Sequence, residues 1–498
     1  MSDPANTPNV VIPLAMSYDT RNIRSRTSTL AGVDQRKVNC YYEIIRNSVT
    51  GHSTLELVKR PGVVAAVSFS GTVGTAYAIK NIVATSPTLT WMIGKSGNDH
   101  SVHNSSTSTL ILTDGNFQHI HFDSTIISDT VTAVTQFFKD ATTAQKVFYA
   151  SAIGSWTEIT DAEFIALLHR GKMEHMDGYA FIMESNNYIH NSDLNSLANW
   201  SATNKIRKQI QWDTACGLIK FKDRLFAFGK ESCEMFVNTG NPSGSPLSVV
   251  KSASEKIGLG HLADPFVGSN SGITSYYTNI GGRLFFLGRI GSAGDYNETL
   301  ITYNGSGFEP IPSGPLTRIL SEGNALYSIN SVTFYGKSAV AVQITAPGAA
   351  TQRAMLYFPD LKEWFEWTST VWGPLNDGIN FVGVAGSSAA YWFDNTNTWT
   401  DASTAYTASV QFRLPKRGNN RDFMRWCALD ADTTTSASNV TVKFSDDDYQ
   451  NFDSGRTIDL NTAEKKLTRC GSYKNRAVRL EHSANAEFRA RNFLARID

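Results

Sequence analysis

The chain has 498 residues, enough to bury a large core or to form several domains. Charged residues make up 18% and balance at 45 basic against 45 acidic, so it lacks the basic excess with which a dedicated nucleic-acid binder neutralises phosphates. Five cysteines (Cys40, Cys216, Cys233, Cys427, Cys470), odd in number and without CxxC spacing, argue against a disulfide frame or a zinc site and for buried thiols.

Aromatic residues reach 11%, and the many β-branched and aromatic side chains suit pleated surfaces, so the expected class is all-β. The opening "MSDPANTPNVVIPLAM" has no basic segment leading into an apolar one, so no signal peptide is expected. No apolar run approaches the ~18 residues needed to span a membrane. The expectation is a protein made in a cytoplasm that stays soluble or joins an assembly.

In chain order, residues 1–62 read as an irregular N-terminal arm with closing strands, carrying Arg21, Arg24, Arg26, Arg36 and Lys37 as candidate contacts. From Val63 the pattern is strand, turn, strand. "STLILTDGNFQHIHFD" (108–123) predicts a hairpin turning at Asp114-Gly115. Residues 125–175 read as an insertion holding one short helix, "TDAEFIALLHR" (160–170), with Thr160 as cap and Glu163 completing a capping box.

Aromatic-rich hairpins then recur. "DGYAFIMESNNYIHNSDLNSLANW" starts at 177, "DRLFAFGKESCEMFVNTG" at 223 and "GRLFFLGRIGSAGDYNETLITYNG" at 282. "GKSAVAVQITAPGAATQRAMLYFPDLKEWFEW" follows at 336 and "SAAYWFDNTNTWTD" near 388. A strand-rich repeat of roughly 40–50 residues predicts propeller blades. One blade cannot bury both faces; a closed ring of blades can. The expected fold is a β-propeller of about six blades over 63–405, followed by a C-terminal β-sandwich over 406–498.

Motifs that carry chemistry are sparse. "SDLNSLANW" (192–200) and "SDDDYQNF" (445–452) echo an Asp-box turn without its glycine, and consecutive Asp446, Asp447 and Asp448 read as a solvated turn more than a calcium loop. His100, His103, His119 and His121 share a neighbourhood, but no further ligand accompanies them, and an exposed strand face is the expectation. "GLGHLADPFVG" (258–268) reads as a loop between blades, and no P-loop or Gly-x-Ser-x-Gly elbow occurs. No catalytic residue, cofactor or metal site is expected, and the chain is read as not an enzyme. Arg413, Lys416, Arg417, Arg421 and Arg425, interleaved with Trp426, form a candidate contact with a partner ring or neighbouring subunit.

The order of several motifs resembles the podovirus tail nozzle proteins, also called packaged-DNA stabilisation proteins. These are "DQRKVNCYYEII" followed by "LVKRPGV", the 177 and 223 segments, "LYFPDLKEWFEW" and the closing "RAVRLEHSANAEFRARNFLARI". The resemblance runs from about 35 to 498; the 125–175 segment and the "SDDDYQNF" turn depart from it. It implies a virion tail protein that forms a homohexameric ring below the portal and adaptor. Such a ring continues the DNA channel and retains the genome until ejection. The implied partners are the portal and adaptor rings, a tail fibre or tailspike, a plug or needle, and double-stranded DNA passing without specific binding. Low charge suits passage, since each neutralised phosphate adds affinity. Two alternatives stand beside it: a propeller glycosidase with paired carboxylates acting on host surface polysaccharide, and a receptor-binding module using Trp364, Trp367 and Trp372 as a platform.

Overall fold

The computed structural model describes residues 8–15, 36–46, 53–71, 73, 75–82, 89–139, 144–210, 213–241, 243–250, 256–259, 276–290, 298–312, 316, 325–345, 352–369, 381–383, 389–394, 398–416, 421–447 and 449–498. Contacts divide the chain into two units. One comprises Ala65–Gln352 and Val371–Trp392; the other comprises Met1–Val64, Arg353–Thr370 and Phe393–Asp498.

The first of these is a β-propeller built from consecutive antiparallel sheets. Four have four strands each, in chain order. They are Thr75–Ile82, Leu89–Ser96, Asp99–His103 and Ser108–Thr113; then Phe117–Ile127, Thr130–Lys139, Ala144–Ala150 and Thr157–Glu158. Next come His169–Met176, Tyr179–Glu184, Tyr188–Ser192 and Trp200–Arg207; then Ala215–Phe221, Arg224–Gly229, Cys233–Asn238 and Leu247–Val249. In a fifth sheet Arg283–Ile290 pairs with Ile257–Leu259, Tyr277–Ile280 and Glu298–Tyr303, and a long hairpin, Ala325–Phe334 with Lys337–Thr345, follows.

The repeated sequence segments fall on equivalent places. Arg224–Gly229 with Cys233–Asn238, and Arg283–Ile290 with Glu298–Tyr303, are middle pairs of their sheets, as are Tyr179–Glu184 with Tyr188–Ser192. Their alternation buries one face against the sheet before and the other against the sheet after. Phe226 and Phe228 meet Tyr303 and Phe286, each at 5.0 Å between ring centres. On the other face, Leu225, Ala227 and Phe236 pack with Phe181, Met183 and Ile189 of the preceding sheet. Ala390, near the end of this unit, packs with Phe69, Val73 and Ile79 from its beginning.

Three local expectations are corrected. Ser108–Thr113 and Phe117–Ile127 are not a hairpin: the first pairs with Asp99–His103 and the second with Thr130–Lys139. The Asp114-Gly115 turn links the outer strand of one sheet to the inner strand of the next, a distinction that alternation alone does not carry. Much of the 125–175 insertion is itself a sheet, because Phe117–Ile127 continues past Phe122 and turns back into Thr130–Lys139. The helix is a single turn, Ala162–Ile165, and its cap is Asp161, whose carboxylate accepts from the backbone N–H groups of Glu163 and Phe164.

The second unit is a β-sandwich assembled from both ends of the chain. One sheet runs in the order Cys40–Arg46, Ser53–Lys59, Arg489–Ile497, Asp422–Ala431 and Lys466–Thr468, with Val10–Pro13 also paired to Arg489–Ile497 and Ser472–Tyr473 to Asp422–Ala431. The other contains Glu363–Ser369, Arg36–Val38, Ala408–Arg413, Ala477–His482, Asn439–Ser445 and Arg456–Asp459. Phe412 meets Phe493 between them at 5.1 Å. The N-terminal segment expected to be irregular therefore supplies four strands in its described parts.

At the centre of this unit lies a buried polar knot. Arg60 donates both terminal nitrogens to Asp401, at 2.8 and 2.6 Å, and both side chains are almost solvent-free. Its Nε donates to Asn39 Oδ1 at 3.0 Å; that oxygen also accepts from the Thr368 backbone at 2.8 Å. The Tyr406 ring covers the guanidinium at 3.7 Å, and Trp367 donates to the Cys40 carbonyl at 2.8 Å. Gly62 is required beside it, since a Cβ there would stand 2.3 Å from the Thr400 carbonyl oxygen.

Candidate functional site

The first strands of the propeller sheets share an irregularity that sequence patterning does not reveal. Register shifts occur at Ala76/Ala78, His119/His121, Arg170/Glu174, Ala215/Gly217 and Leu326/Ser328. A bulge bends the strand and re-aims the side chains that follow it. Two of these strands also approach closely: a Cβ on Gly171, whose φ is +72°, would lie 2.7 Å from the Gly217 Cα. Glycine is needed at that point on both grounds.

Beyond these bulges the unit holds a polar cavity of about 850 Å³. Its lining includes Asp123 and Asp129 from the second sheet, Glu174, His175 and Asp177 from the third, Lys220 and Lys222 from the fourth, and Tyr277 from the fifth. The turns at its rim are tight. Ser128 and Asp129 take φ of +46° and +62° between Ile127 and Thr130, and Asp177 and Gly178 take +53° and +81° between Met176 and Tyr179. Both are two-residue hairpin connections requiring left-handed backbone, and Ser-Asp occupies one without the customary glycine. Two apolar side chains, Ile126 and Leu194, stand exposed in the same lining.

The electrostatics of the cavity are mixed. Asp123 forms an ion pair with Lys80 and accepts the Ser124 N–H at 2.6 Å. Glu174 is buried and accepts the Tyr277 hydroxyl at 2.7 Å. His175 is 8% exposed, and its Nε2 has no hydrogen-bond partner among the described residues. Burial pushes its pKa down to about 3; Asp123 opposes this, while His121, Lys220 and Lys80 add to it. The imidazole is thus neutral at pH 7 and feels the Asp123 carboxylate. Carboxylates that accept, lysines that donate and an uncharged imidazole together suit a polyhydroxylated ligand, and two differently surrounded carboxyl groups are what acid-base hydrolysis employs.

None of these residues was singled out in the sequence. Asp123, Glu174 and Lys220 stand far apart in the chain, and only the succession of inner strands brings them together. A buried polar residue in an inner strand, such as Glu174 within "GKMEHM", is the one local signal that could have marked them.

The residues that were singled out lie elsewhere. Arg36 binds Glu366 through two nitrogens at 3.1 and 3.0 Å, and Arg353 joins the same carboxylate. Lys37 is buried, its ammonium 4.7 Å from the Tyr42 ring centre, and burial lowers its pKa to about 7. Arg425 pairs with Asp498, Arg421 and Lys416 are exposed, and Arg413 is half-buried. Trp426 is buried under Lys466, 4.6 Å from its ring centre. Arg21, Arg24, Arg26 and Arg417 lie outside the described residues.

The four histidines correct an expectation. His100, His103, His119 and His121 are buried: His103 bonds the Ser70 carbonyl at 2.8 Å and His119 the Thr135 hydroxyl at 3.1 Å. In the acidic turn Asp446 is held by Arg476 at 2.7 and 2.8 Å, and Asp447 accepts from Ser445 and from the Asn451 backbone. Among the described residues no cluster of side chains could hold a metal ion. Trp364 and Trp367 are buried in packing and offer no platform; Trp372 lies outside the described residues, as does 260–268 of the Gly-rich stretch.

No known family profile and no curated protein matches the chain. Among solved structures it aligns with an exo-β-1,3-galactanase from Phanerochaete chrysosporium bound to galactose, at 9% identity and a TM-score of 0.28, covering 87% of this chain and 100% of that one. A glycoside hydrolase aligns at 9% identity and 0.27, covering 75% and 97%. Chaetomium thermophilum Raptor aligns at 10% and 0.36, covering 68% and 29%. The sequence reads as that of a protein that is not an enzyme, whereas two of these aligned structures are glycoside hydrolases.

Proposed function

We propose that the chain is a tail-nozzle protein of a short-tailed bacteriophage, a component of a six-fold ring that continues the DNA channel below the portal and adaptor. The observation that supports this is where the resembling motifs fall. Asn39 of "VNCYYE", Arg60 and Gly62 of "KRPG" and the Thr368 that follows "KEWFEW" meet in one buried knot closed by Asp401. The repeated segments form the middle strands of successive sheets. The motifs that carry the resemblance therefore supply the buried knot of one unit and the middle strands of the other. Sheets with rigid flanks suit a closed ring of identical subunits, which needs a heterologous interface. Electron microscopy of the purified protein and of the particle tests the proposal. A six-fold ring on the tail is expected; a monomer with no place in a particle overturns it.

A second reading is favoured by the cavity: hydrolysis of a glycosidic bond in a surface polysaccharide, with Asp123 and Glu174 as the carboxyl pair. Of the two readings, this one has counterparts by name among the aligned structures. The protein is incubated with host polysaccharide and reducing ends are measured. Activity that falls at least about 100-fold in Glu174→Gln and Asp123→Asn supports it; no release by the wild type, or release unchanged in both variants, sinks it.

A further inference from the structure

Cys427 and Cys470 are buried with their sulfurs 3.8 Å apart, although 43 positions separate them in the chain. Cys427 sits in the strand Asp422–Ala431, and Cys470 is held beside it by two backbone bonds. Its own N–H reaches the Met424 carbonyl at 3.1 Å, and Met424 N–H reaches Gly471 at 2.9 Å. The segment bends sharply here, with Arg469 and Gly471 at φ of +59° and +79°. Two guanidinium groups adjoin the pair: Arg476 donates to the Cys470 carbonyl at 2.5 Å, and Arg456 to the Thr468 carbonyl at 2.7 Å.

We propose that Cys427 and Cys470 are a redox-active dithiol that closes to an intramolecular disulfide under peroxide. Closure brings the sulfurs from 3.8 Å to about 2.05 Å, between segments already joined by the Cys470–Met424 backbone bond. The chemistry is polarised. The Cys427 thiol, and to a lesser degree Arg456 and Arg476, favour the Cys470 thiolate against its burial and bring its pKa to about 7, while Cys427 is held protonated well above the ordinary range. Cys470 is the more exposed of the two residues, at 7% against 0%. Its thiolate attacks a peroxide oxygen, the O–O bond breaks, and hydroxide leaves as Cys470 becomes a sulfenic acid. Cys427 then gives its proton to hydroxide and attacks the Cys470 sulfur; the S–O bond breaks and the second oxygen leaves as water once protonated. In sum two thiols and one hydrogen peroxide yield one disulfide and two waters. The other three cysteines, Cys40, Cys216 and Cys233, are buried and are expected to remain thiols.

The test uses the full chain. It is treated with hydrogen peroxide, free thiols are blocked with iodoacetamide, and a non-reducing digest is mapped by mass spectrometry. Titratable thiols in denaturant are expected to fall from five to three, with one linked peptide pair containing Cys427 and Cys470, and dithiothreitol is expected to restore five. In Cys427→Ser the link is absent and Cys470 carries sulfenic acid instead. Five thiols persisting in the wild type, a different crosslink, or Cys470 passing to sulfinic acid without a link each overturn the proposal. Because the wild-type map alone decides, a variant that fails to fold does not obscure the result.

Discussion

The propeller and the sandwich use the same material in opposite ways. In the propeller each sheet is made from a contiguous stretch, so a strand finds its partner a turn away; Phe221 pairs with Arg224 across two residues. In the sandwich the partners are distant: Val10 lies opposite Ala495, and Arg36 opposite Gln411. Their cores differ accordingly. The propeller sheets are joined by apolar and aromatic faces repeated from one sheet to the next. In the sandwich, beside an apolar core of its own, buried polar bonds converge on the Arg60–Asp401 pair and join positions 39, 60, 368 and 401. Local repetition distributes stability over many equivalent contacts; distant closure concentrates it.

The largest expected effect breaks that concentration. Asp401→Ala leaves Arg60 buried and unpaired and is expected to destabilise the sandwich by about 3–5 kcal/mol, measured by urea unfolding with hydrogen exchange read by segment. A loss below about 1 kcal/mol would show that the knot does not pin this unit. Next is Leu284→Ala in the fully buried face between the fourth and fifth sheets. It is expected to cost about 2–5 kcal/mol, with faster exchange confined to neighbouring sheets. Exchange rising equally in the sandwich would erase the contrast between the two units.

A smaller cost, about 1–3 kcal/mol, is expected for Gly171→Ala, where a side chain meets Gly217 at positive φ. The same substitution should disturb the cavity, and the pH dependence of stability reports this. His175 in the propeller and His482 in the sandwich are each pushed to about 3 from an ordinary 6.5, chiefly by burial. Between those values the unfolded chain binds more protons than the folded one. Stability is therefore expected to fall as the pH drops from 6.5 towards 3 and to be unaffected by these groups above 6.5. His482→Gln should flatten the acid limb of the sandwich alone; an unchanged limb would remove His482 from the account.

How far each region was legible follows from the same contrast. "DRLFAFGKESCEMFVNTG" announces its own hairpin, because both strands and the turn lie within one window. "STLILTDGNFQHIHFD" carries the same signs and misleads, because a turn between sheets has the same local chemistry as a turn within one. The basic residues of 413–425 drew attention by their density, yet Arg425 pairs with Asp498 and Trp426 is covered by Lys466. Glu174 and Asp123 drew none, since a single carboxylate among other polar strand residues, as in "GKMEHM", forms no motif.

Alternation of apolar and polar residues, together with the recurrence of aromatic hairpins, determined from the sequence that this chain is all-β and that its central part is a propeller. Periodicity is a property of neighbouring residues and survives in one dimension. Only the tertiary structure decided which strands pair across the chain, where the bulges turn the inner strands, and that two carboxylates, a neutral histidine and two lysines share one cavity. Those outcomes depend on close approach between residues far apart in sequence, and burial and charge act through distance in space.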